Sequence, residues 1–279
     1  MFIDTHAHIN FNEFKSDGNE VIRRSLDNET WMILVGTEYK TSKRALEYAN
    51  KYEKGVYATV GLHPIHLSEI KVIGEDHNFV SRQEDFNYDI YEKLAQFKKV
   101  VGIGEIGLDY YHINSTVDLL INKKKQQEVF LNQLTLACNL HLPVIIHCRQ
   151  AHDDMIEILK KFKKDFNNQL PKNKSWGVMH CFSGDEDLAW RYFSLGLMIS
   201  FTGIITFSAK WDDLIRKAPI DKIIIETDCP FMTPEPFRGQ RNEPLLVKYI
   251  AARIAEIKNL NLERIADITT NNARILFNI

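Results

Sequence analysis

Short apolar runs alternate with helix-forming segments eight times along this chain. No other feature restricts its fold as strongly. The runs lie at 1–8, 31–36 (WMILVG), 56–61 (VYATVG), 100–106 (VVGIGEI), 142–147 (LPVIIH), 176–181, 197–201 and 222–227 (KIIIET). Helical patterns at 19–28, 42–52, 90–97, 119–140, 153–165, 185–195 and 209–218 separate them. Ser183 or Asp185 stands near one N-cap, and Pro219 ends the last of these helices. Two further helices, 244–257 and 262–277, follow a loop at 230–242 rich in Pro and Gly. Strands with so little internal polarity are strands buried on both faces of a parallel sheet. Eight strand–helix units predict a (β/α)8 TIM barrel with an extra C-terminal helix, formed by one domain over 1–279. A doubly wound open sheet is the alternative, but no G-x-G-x-x-G follows the first strand. The stretch 65–87 is too long for a simple connection and marks an insertion at the barrel mouth.

Composition removes several function classes. Hydrophobic residues at 44% and charged residues at 26% fit a soluble globular protein. A net charge of −2 gives no overall basic footprint for nucleic acid. It leaves a nucleic-acid substrate open, because bound metal ions bring positive charge to a site. No basic and apolar leader pattern opens the chain, so no signal peptide is expected. No apolar run is long enough for a membrane span, and no membrane partner is expected. Cys138, Cys148, Cys181 and Cys229 form no C-x-x-C motif, which points to a reduced, cytoplasmic protein.

In such a barrel the active site forms at the C-terminal ends of the strands, and polar residues collect there in this sequence. Strand one delivers His6 and His8, two apart and therefore on one face. Strand three leads to His63. Strand four reaches Glu105, with Asp109 just beyond. Strand five ends at His147, with Arg149 two positions on. Strand six ends at His180, and strand eight at Glu226 and Asp228. Any one of these reads as an ordinary core residue. Together they crowd charges and imidazoles into one mouth, at a cost that a metal relieves. His6, His8, Glu105, His147, His180 and Asp228 make six ligands. That exceeds one tetrahedral zinc with an open position and suits two metals sharing a carboxylate. Glu105 lies between the strand-one and strand-five ligands in barrel order, which makes it the natural bridge.

The segments around these residues are Phe2-Ile3-Asp4-Thr5-His6-Ala7-His8, Gly61-Leu62-His63-Pro64, Gly104-Glu105-Ile106-Gly107-Leu108-Asp109-Tyr110 and Pro143-Val144-Ile145-Ile146-His147-Cys148-Arg149. Further on come His180-Cys181-Phe182-Ser183-Gly184, Ile225-Glu226-Thr227-Asp228-Cys229-Pro230, Arg238-Gly239-Gln240-Arg241-Asn242-Glu243-Pro244 and Thr269-Thr270-Asn271-Asn272-Ala273. In this order, and across nearly the whole chain, the sequence resembles the TatD family of metal-dependent hydrolases, a branch of the amidohydrolase-type barrels. The resemblance implies that His6, His8 and Asp228 hold one divalent metal and that His147 and His180 hold another. Glu105 would bridge the two. It also implies a metal-dependent deoxyribonuclease that trims single-stranded DNA from 3′ ends, with RNA as a further substrate. The sequence departs from the family pattern at Ile65, where a histidine often follows the His-Pro of strand three, and His66 is displaced by one. The departure and the insertion bear on substrate preference, not on the metal site.

A bound divalent metal lowers the pKa of its water from 15.7 to about 7, and Asp228 is placed to take the proton. Asp228, Glu105 and His63 are thus the expected catalytic residues. His63, Arg149 and Arg238 are candidates to hold phosphate oxygens, a task that suits the planar donor fork of arginine. Arg149 reads alternatively as a rim salt-bridge residue and Arg238 as a brace of the strand-eight loop. Asp109 is expected to orient a ligand histidine through its second nitrogen, and Glu226 to be structural. Cys148, Cys181 and Cys229 each follow a ligand and so face the helix layer as packing residues. Phe182, Phe201 and Phe207 read as core, His112 as a solvated loop residue, and Lys123-Lys124-Lys125 as a solvated helix face.

Two other function classes fit the same residues. One is hydrolysis of an ester or amide, such as a D-aminoacyl-tRNA or a lactone, since fold and metals do not fix the substrate. The other is a non-catalytic, metal-stabilised binding protein. Four histidines and two carboxylates favour zinc, manganese, cobalt or nickel, whereas the family resemblance implies magnesium. The expected cofactors are two divalent ions, Mg, Mn or Zn, the first held tightly and the second loosely.

Overall fold

The computed structural model describes residues 1–68, 71–73, 78–113 and 119–279. In chain order the elements are β1 (Phe2–Ala7), α1 (Gly18–Asp27), β2 (Thr30–Val35), α2 (Tyr39–Ala49), β3 (Val56–Val60), β4 (Lys71–Ile73), β5 (Asn78–Val80), α3 (Tyr88–Ala95) and β6 (Val100–Asp109). Then come α4 (Leu119–Asn139), β7 (Val144–Arg149), α5 (His152–Asp165), β8 (Gly177–Met179), α6 (Glu186–Ser194), β9 (Leu197–Phe201), α7 (Asp212–Lys217), β10 (Ile223–Ile225), α8 (Val247–Lys258) and α9 (Leu262–Phe277).

Eight strands pair in parallel in the order β1-β2-β3-β6-β7-β8-β9-β10. The ends of this sheet meet. Ala7 bridges Cys229 in parallel, the His8 amide donates to the Cys229 carbonyl at 2.8 Å, and the Asp228 amide donates to the His6 carbonyl at 2.9 Å. The result is the expected TIM barrel. The insertion contributes an antiparallel pair, β4 with β5; its residues 69–70 and 74–77 lie outside the described residues.

Two apolar layers form on either side of the strands. Met32, Leu34, Val56, Ala58, Val60, Val144, Ile146, Leu197, Ile199, Ile223 and Ile225 pack outward against the helices. Ile3, Ile33, Val35, Val101, Ile145, Val178, Met198 and Ile224 fill the barrel interior, together with Ala273, Leu276 and Phe277 of α9. The extra C-terminal helix therefore plugs the N-terminal end of the barrel. Asn272 ties it to the start of β10, donating to Ile220 and Ile223 carbonyls at 2.8 and 2.9 Å. With the bottom sealed, the open end is the C-terminal face.

Register irregularities re-aim side chains on the two strands that matter most. β1 slips against β2 between Asp4 and Ala7, and β6 slips against β7 between Ile103 and Ile106. Ile3 is an inner residue and Ala7 an outer one, although both positions are odd. A local register change of this kind switches which face a side chain takes. It leaves His6, His8 and Glu105 inward, above the apolar interior.

Two expected elements differ. The fourth barrel strand continues to Asp109 instead of stopping at 106, because β6 stays paired with β7 as far as Arg149. The expected helix over 209–218 is a 3-10 turn at Ala209–Trp211 followed by α7. No helix among the described residues is long and apolar enough to cross a membrane. Because Phe277 is 2% exposed and closes the interior, Phe277→Ala should cost about 3–5 kcal/mol of stability, read as a fall in the urea midpoint.

Candidate metal centre

Glu105 stands at the middle of the mouth, and the glycines around it explain its position. At Gly107, with φ +146°, a Cβ would lie 2.0 Å from the His147 carbonyl oxygen; at Gly104 it would lie 2.6 Å from Ile145 Cβ. Only glycine lets β6 run this close to β7. The two carboxylate oxygens face different groups. Oε1 is 2.8 Å from His180 Nε2, 3.1 Å from His147 Nδ1 and 3.4 Å from His63 Nε2. Oε2 is 3.4 Å from His6 Nε2 and 3.9 Å from His8 Nε2. Asp228 Oδ1 closes the second group, 3.7 Å from His6 and 3.4 Å from His8. Asp228 adopts φ +56°, a left-handed conformation unusual for a non-glycine residue and common at functional sites.

Hydrogen bonds behind the rings set which nitrogen each histidine presents. His8 Nδ1 donates to the Val35 carbonyl at 3.0 Å, so its Nε2 lone pair faces the cluster. His147 Nε2 lies 3.1 Å from Asp109 Oδ2, which leaves Nδ1 toward Glu105. His180 Nδ1 lies 3.4 Å from Glu226 Oε1, a charge contact without hydrogen-bond alignment. His63 is the opposite case. Its Nδ1 accepts the Ile65 amide at 3.1 Å, so a neutral His63 carries its proton on Nε2, facing Glu105.

Burial alone would raise the Glu105 pKa, yet the charges and hydrogen bonds of His180, His63 and His147 hold it well below the carboxylate range. Burial opposes protonation of His180, and Glu105 and Glu226 overcome it, raising that pKa well above the usual value. The same opposition at His147 ends at about 8 through Asp109 and Glu105. His63 is pushed down to about 4, chiefly by burial. At Asp228 burial is again outweighed, by the His8 hydrogen bond and by the charges of His6 and His180, so the carboxylate stays ionised at neutral pH.

The donor set fits divalent cations. His6 and His8 Nε2 stand 3.0 Å apart. Two ligands at about 2.1 Å from one ion are separated by about 3.0–3.4 Å for right-angle to tetrahedral arrangements. Ligating atoms within 4.8 Å of one another are offered by His6, His8 and Asp228, and by Glu105, His147 and His180. Two overlapping groups, His6 with His180 and Glu226, and His63 with Asp109 and His147, meet the same distance.

The structure thus brings His6, His8, His63, Glu105, His147, His180 and Asp228 together. Arg149 and Arg238 stand apart from them on the rim. Arg149 lies over the Tyr111 ring at 3.9 Å and Arg238 over the Phe207 ring at 3.7 Å. The loop after β10 is braced by Arg241, which donates to Asp17 at 2.5 Å and to Glu243 at 3.1 Å. Phe182 and Phe201 are core, but Phe207 is 41% exposed. It follows the Gly203–Thr206 turn and lies outside the packed strand. His112 is not free in solvent: its Nδ1 lies 2.8 Å from Asp109 Oδ2. Nor is the lysine run a purely solvated face. Lys125 donates to Leu67 O and Asp85, and Lys123 lies over the Tyr110 ring. Glu226 accepts the Cys181 amide at 2.6 Å besides facing His180. His66 turns to the Arg82 carbonyl, and Ile65 is buried. Cys148 and Cys229 belong to the outer core, Cys148 Sγ beside His152, whereas Cys181 Sγ lies beside Thr202 and within the field of His180, Asp228 and Glu226.

Several supporting residues went unread in the sequence. Gln126 bonds both the amide and the carbonyl of Asp109 at 2.8 Å, and Gln133 does the same for Leu62 at 2.7 and 2.9 Å. The two glutamines are seven apart on α4, two turns on one face, and that spacing was the available signal. Asp4 accepts from the Thr227 amide, the Thr227 hydroxyl and the His6 amide. It fixes the end of β1 against the segment carrying Asp228.

Comparison with known proteins agrees with the fold. The family model described as "TatD related DNase" matches residues 3–278. A Bacillus subtilis protein named as an uncharacterized metal-dependent hydrolase, YabD, is 39% identical over the full length of both chains. An Erwinia tasmaniensis protein named as a 3′-5′ ssDNA/RNA exonuclease, TatD, is 32% identical over 99% of each. Among solved structures, the TatD homologue YJJV of Escherichia coli K12 superposes with a TM-score of 0.82 at 32% identity, over 100% of this chain and 98% of that one. The chain belongs to the TatD-related DNase family.

Proposed function

We propose that this protein is a hydrolase dependent on two divalent metals that cleaves nucleic-acid phosphodiester bonds, shortening single-stranded DNA from the 3′ end. The observation that carries the reading is the division of Glu105. One oxygen faces His147 and His180, and the other faces His6 and His8, which Asp228 completes. His6, His8 and Asp228 would hold one ion, His147 and His180 the other, with Glu105 shared. The ions would supply Lewis acidity, making water acidic near neutral pH and stabilising negative charge on the reacting oxygens. The names of the Bacillus and Erwinia relatives support metal dependence and a nucleic-acid substrate respectively.

The chain's own residues divide the remaining work. Asp228 is ionised and faces the cluster, so it takes the proton of the attacking water. His63 is neutral at pH 7 and directs an Nε2–H into the site, which suits a phosphoryl oxygen better than a cation. Asp109 and Glu226 hold His147 and His180 from behind. Arg149 and Arg238 have no carboxylate partner among the described residues, so their donors remain available to phosphate. That availability favours a phosphodiester over a neutral ester.

The direct test follows a 5′-labelled single-stranded oligonucleotide with metal-stripped protein, with and without added Mg²⁺ or Mn²⁺. Stepwise shortening that needs metal, and that His180→Ala loses, is expected; an intact strand with folded, metal-loaded protein overturns the reading. Asp228→Asn should lower kcat about 10³-fold, within the range for a lost general base, with the circular dichroism spectrum unchanged. Asp109→Asn should weaken metal binding roughly 10- to 100-fold by titration calorimetry, since it removes the charge behind His147.

A further inference from the structure

The rim of the mouth carries two guanidinium–aromatic stacks that the metal centre does not use. Arg149, the last residue of β7, covers Tyr111, which lies two residues beyond β6. Arg238, in the loop after β10, covers Phe207, beyond β9. In barrel order the stacks join β6 to β7 and β9 to β10. They therefore flank β8, the strand that leads directly into His180.

Two properties separate these pairs from ordinary surface contacts. The rings are 50% and 41% exposed, although large apolar rings gain free energy by leaving water. The His112 ring meets Tyr111 at right angles, 4.9 Å between centroids, and still leaves half of Tyr111 accessible. Meanwhile neither guanidinium donates a hydrogen bond among the described residues. Arg24, Arg241 and Arg253 are instead engaged by Glu243, Asp17 and Asp212.

We propose that Tyr111 with Arg149, and Phe207 with Arg238, are two nucleobase-stacking platforms that make this site selective for an unpaired strand; the proposal builds on the nuclease reading above. Aromatic rings and guanidinium planes accept the face of any base, and guanidinium edges bind phosphate. Unpaired bases can splay out to such platforms, whereas bases in a duplex are stacked on one another and hide their faces. The net charge of −2 gives the whole molecule no field to draw in a polyanion. Local cations and stacking must hold the strand instead.

The experiment measures cleavage and fluorescence-anisotropy binding by Mn²⁺-loaded protein on three substrates: a single strand with natural bases, an abasic strand of equal length, and a blunt duplex. The natural strand should show a KM roughly 10-fold below that of the abasic strand, and the duplex should be the poorest substrate. Phe207→Ala and Tyr111→Ala should each reduce the discrimination between natural and abasic strands, and Phe207→Trp and Tyr111→Phe should restore it. Arg149→Ala and Arg238→Ala should raise KM for both strands. If strands are cut but natural and abasic ones perform alike, or if both alanine variants keep the discrimination, the platforms are overturned and the nuclease reading stands. If no strand is bound or cut, the nuclease reading falls, and the platforms with it.

Discussion

A buried carboxylate surrounded by imidazoles is the interaction on which the rest of this molecule depends. Glu105 is 5% exposed and sits within 4 Å of five histidine nitrogens. An isolated ionised carboxylate in such a place would cost many kcal/mol. Here positive charge at His147 and His180 offsets it, and divalent ions would offset it more fully. The cluster is therefore a site with a demand for cations built into it. Its stability as an arrangement and its capacity for chemistry come from the same imbalance.

The barrel holds this arrangement through hydrogen bonds to the backbone and through close approach of neighbouring strands. β1 and the end of β10 are tied by Asp4, by the His8–Cys229 and Asp228–His6 amide bonds, and by the Thr5 hydroxyl on the Ile225 carbonyl. Strand β6 is drawn against β7 by glycines whose neighbours leave no room for a Cβ. From outside, α4 grips the ends of β3 and β6 with Gln133 and Gln126. Each device acts within a few residues of a cluster member. Together they fix the positions from which the cluster's side chains converge.

Much of this was legible in the sequence because both governing signals are periodic. Unbroken apolar runs such as 31–36 and 222–227 mark strands buried on two faces, and the barrel rule then gathers His6, His63, Glu105, His147, His180 and Asp228 at one end. What escaped depends on contacts between segments far apart in the chain. Asp109 falls in a strand because β7 continues beside it and Gln126 caps its peptide groups. Phe207 looks like core beside Phe201, but the chain turns outward after β9 and leaves it on the rim. Lys125 looks solvated until the residues around Leu67 and Asp85 come to meet it. Arg241, not Arg238, is the brace because Asp17 and Glu243 lie within its reach. A single sequence displays none of these long-range partners.

The histidines show how the backbone divides labour among identical side chains. His8 meets a carbonyl, Val35 O, which can only accept; its proton is pinned to Nδ1 and its outer nitrogen turns a lone pair toward the cluster. His63 meets an amide, Ile65 N–H, which can only donate; in its neutral form the proton is pinned to Nε2 and its outer nitrogen is a donor. Burial pushes the pKa of His63 to about 4, which preserves that donor role at neutral pH. The local chain direction decides the difference: His63 precedes a 3-10 turn, Pro64–Leu67, whose early amides are free to point back, whereas His8 directly follows β1, which pairs with β2. Secondary structure therefore gives one imidazole an acceptor and the other a donor facing the same cluster.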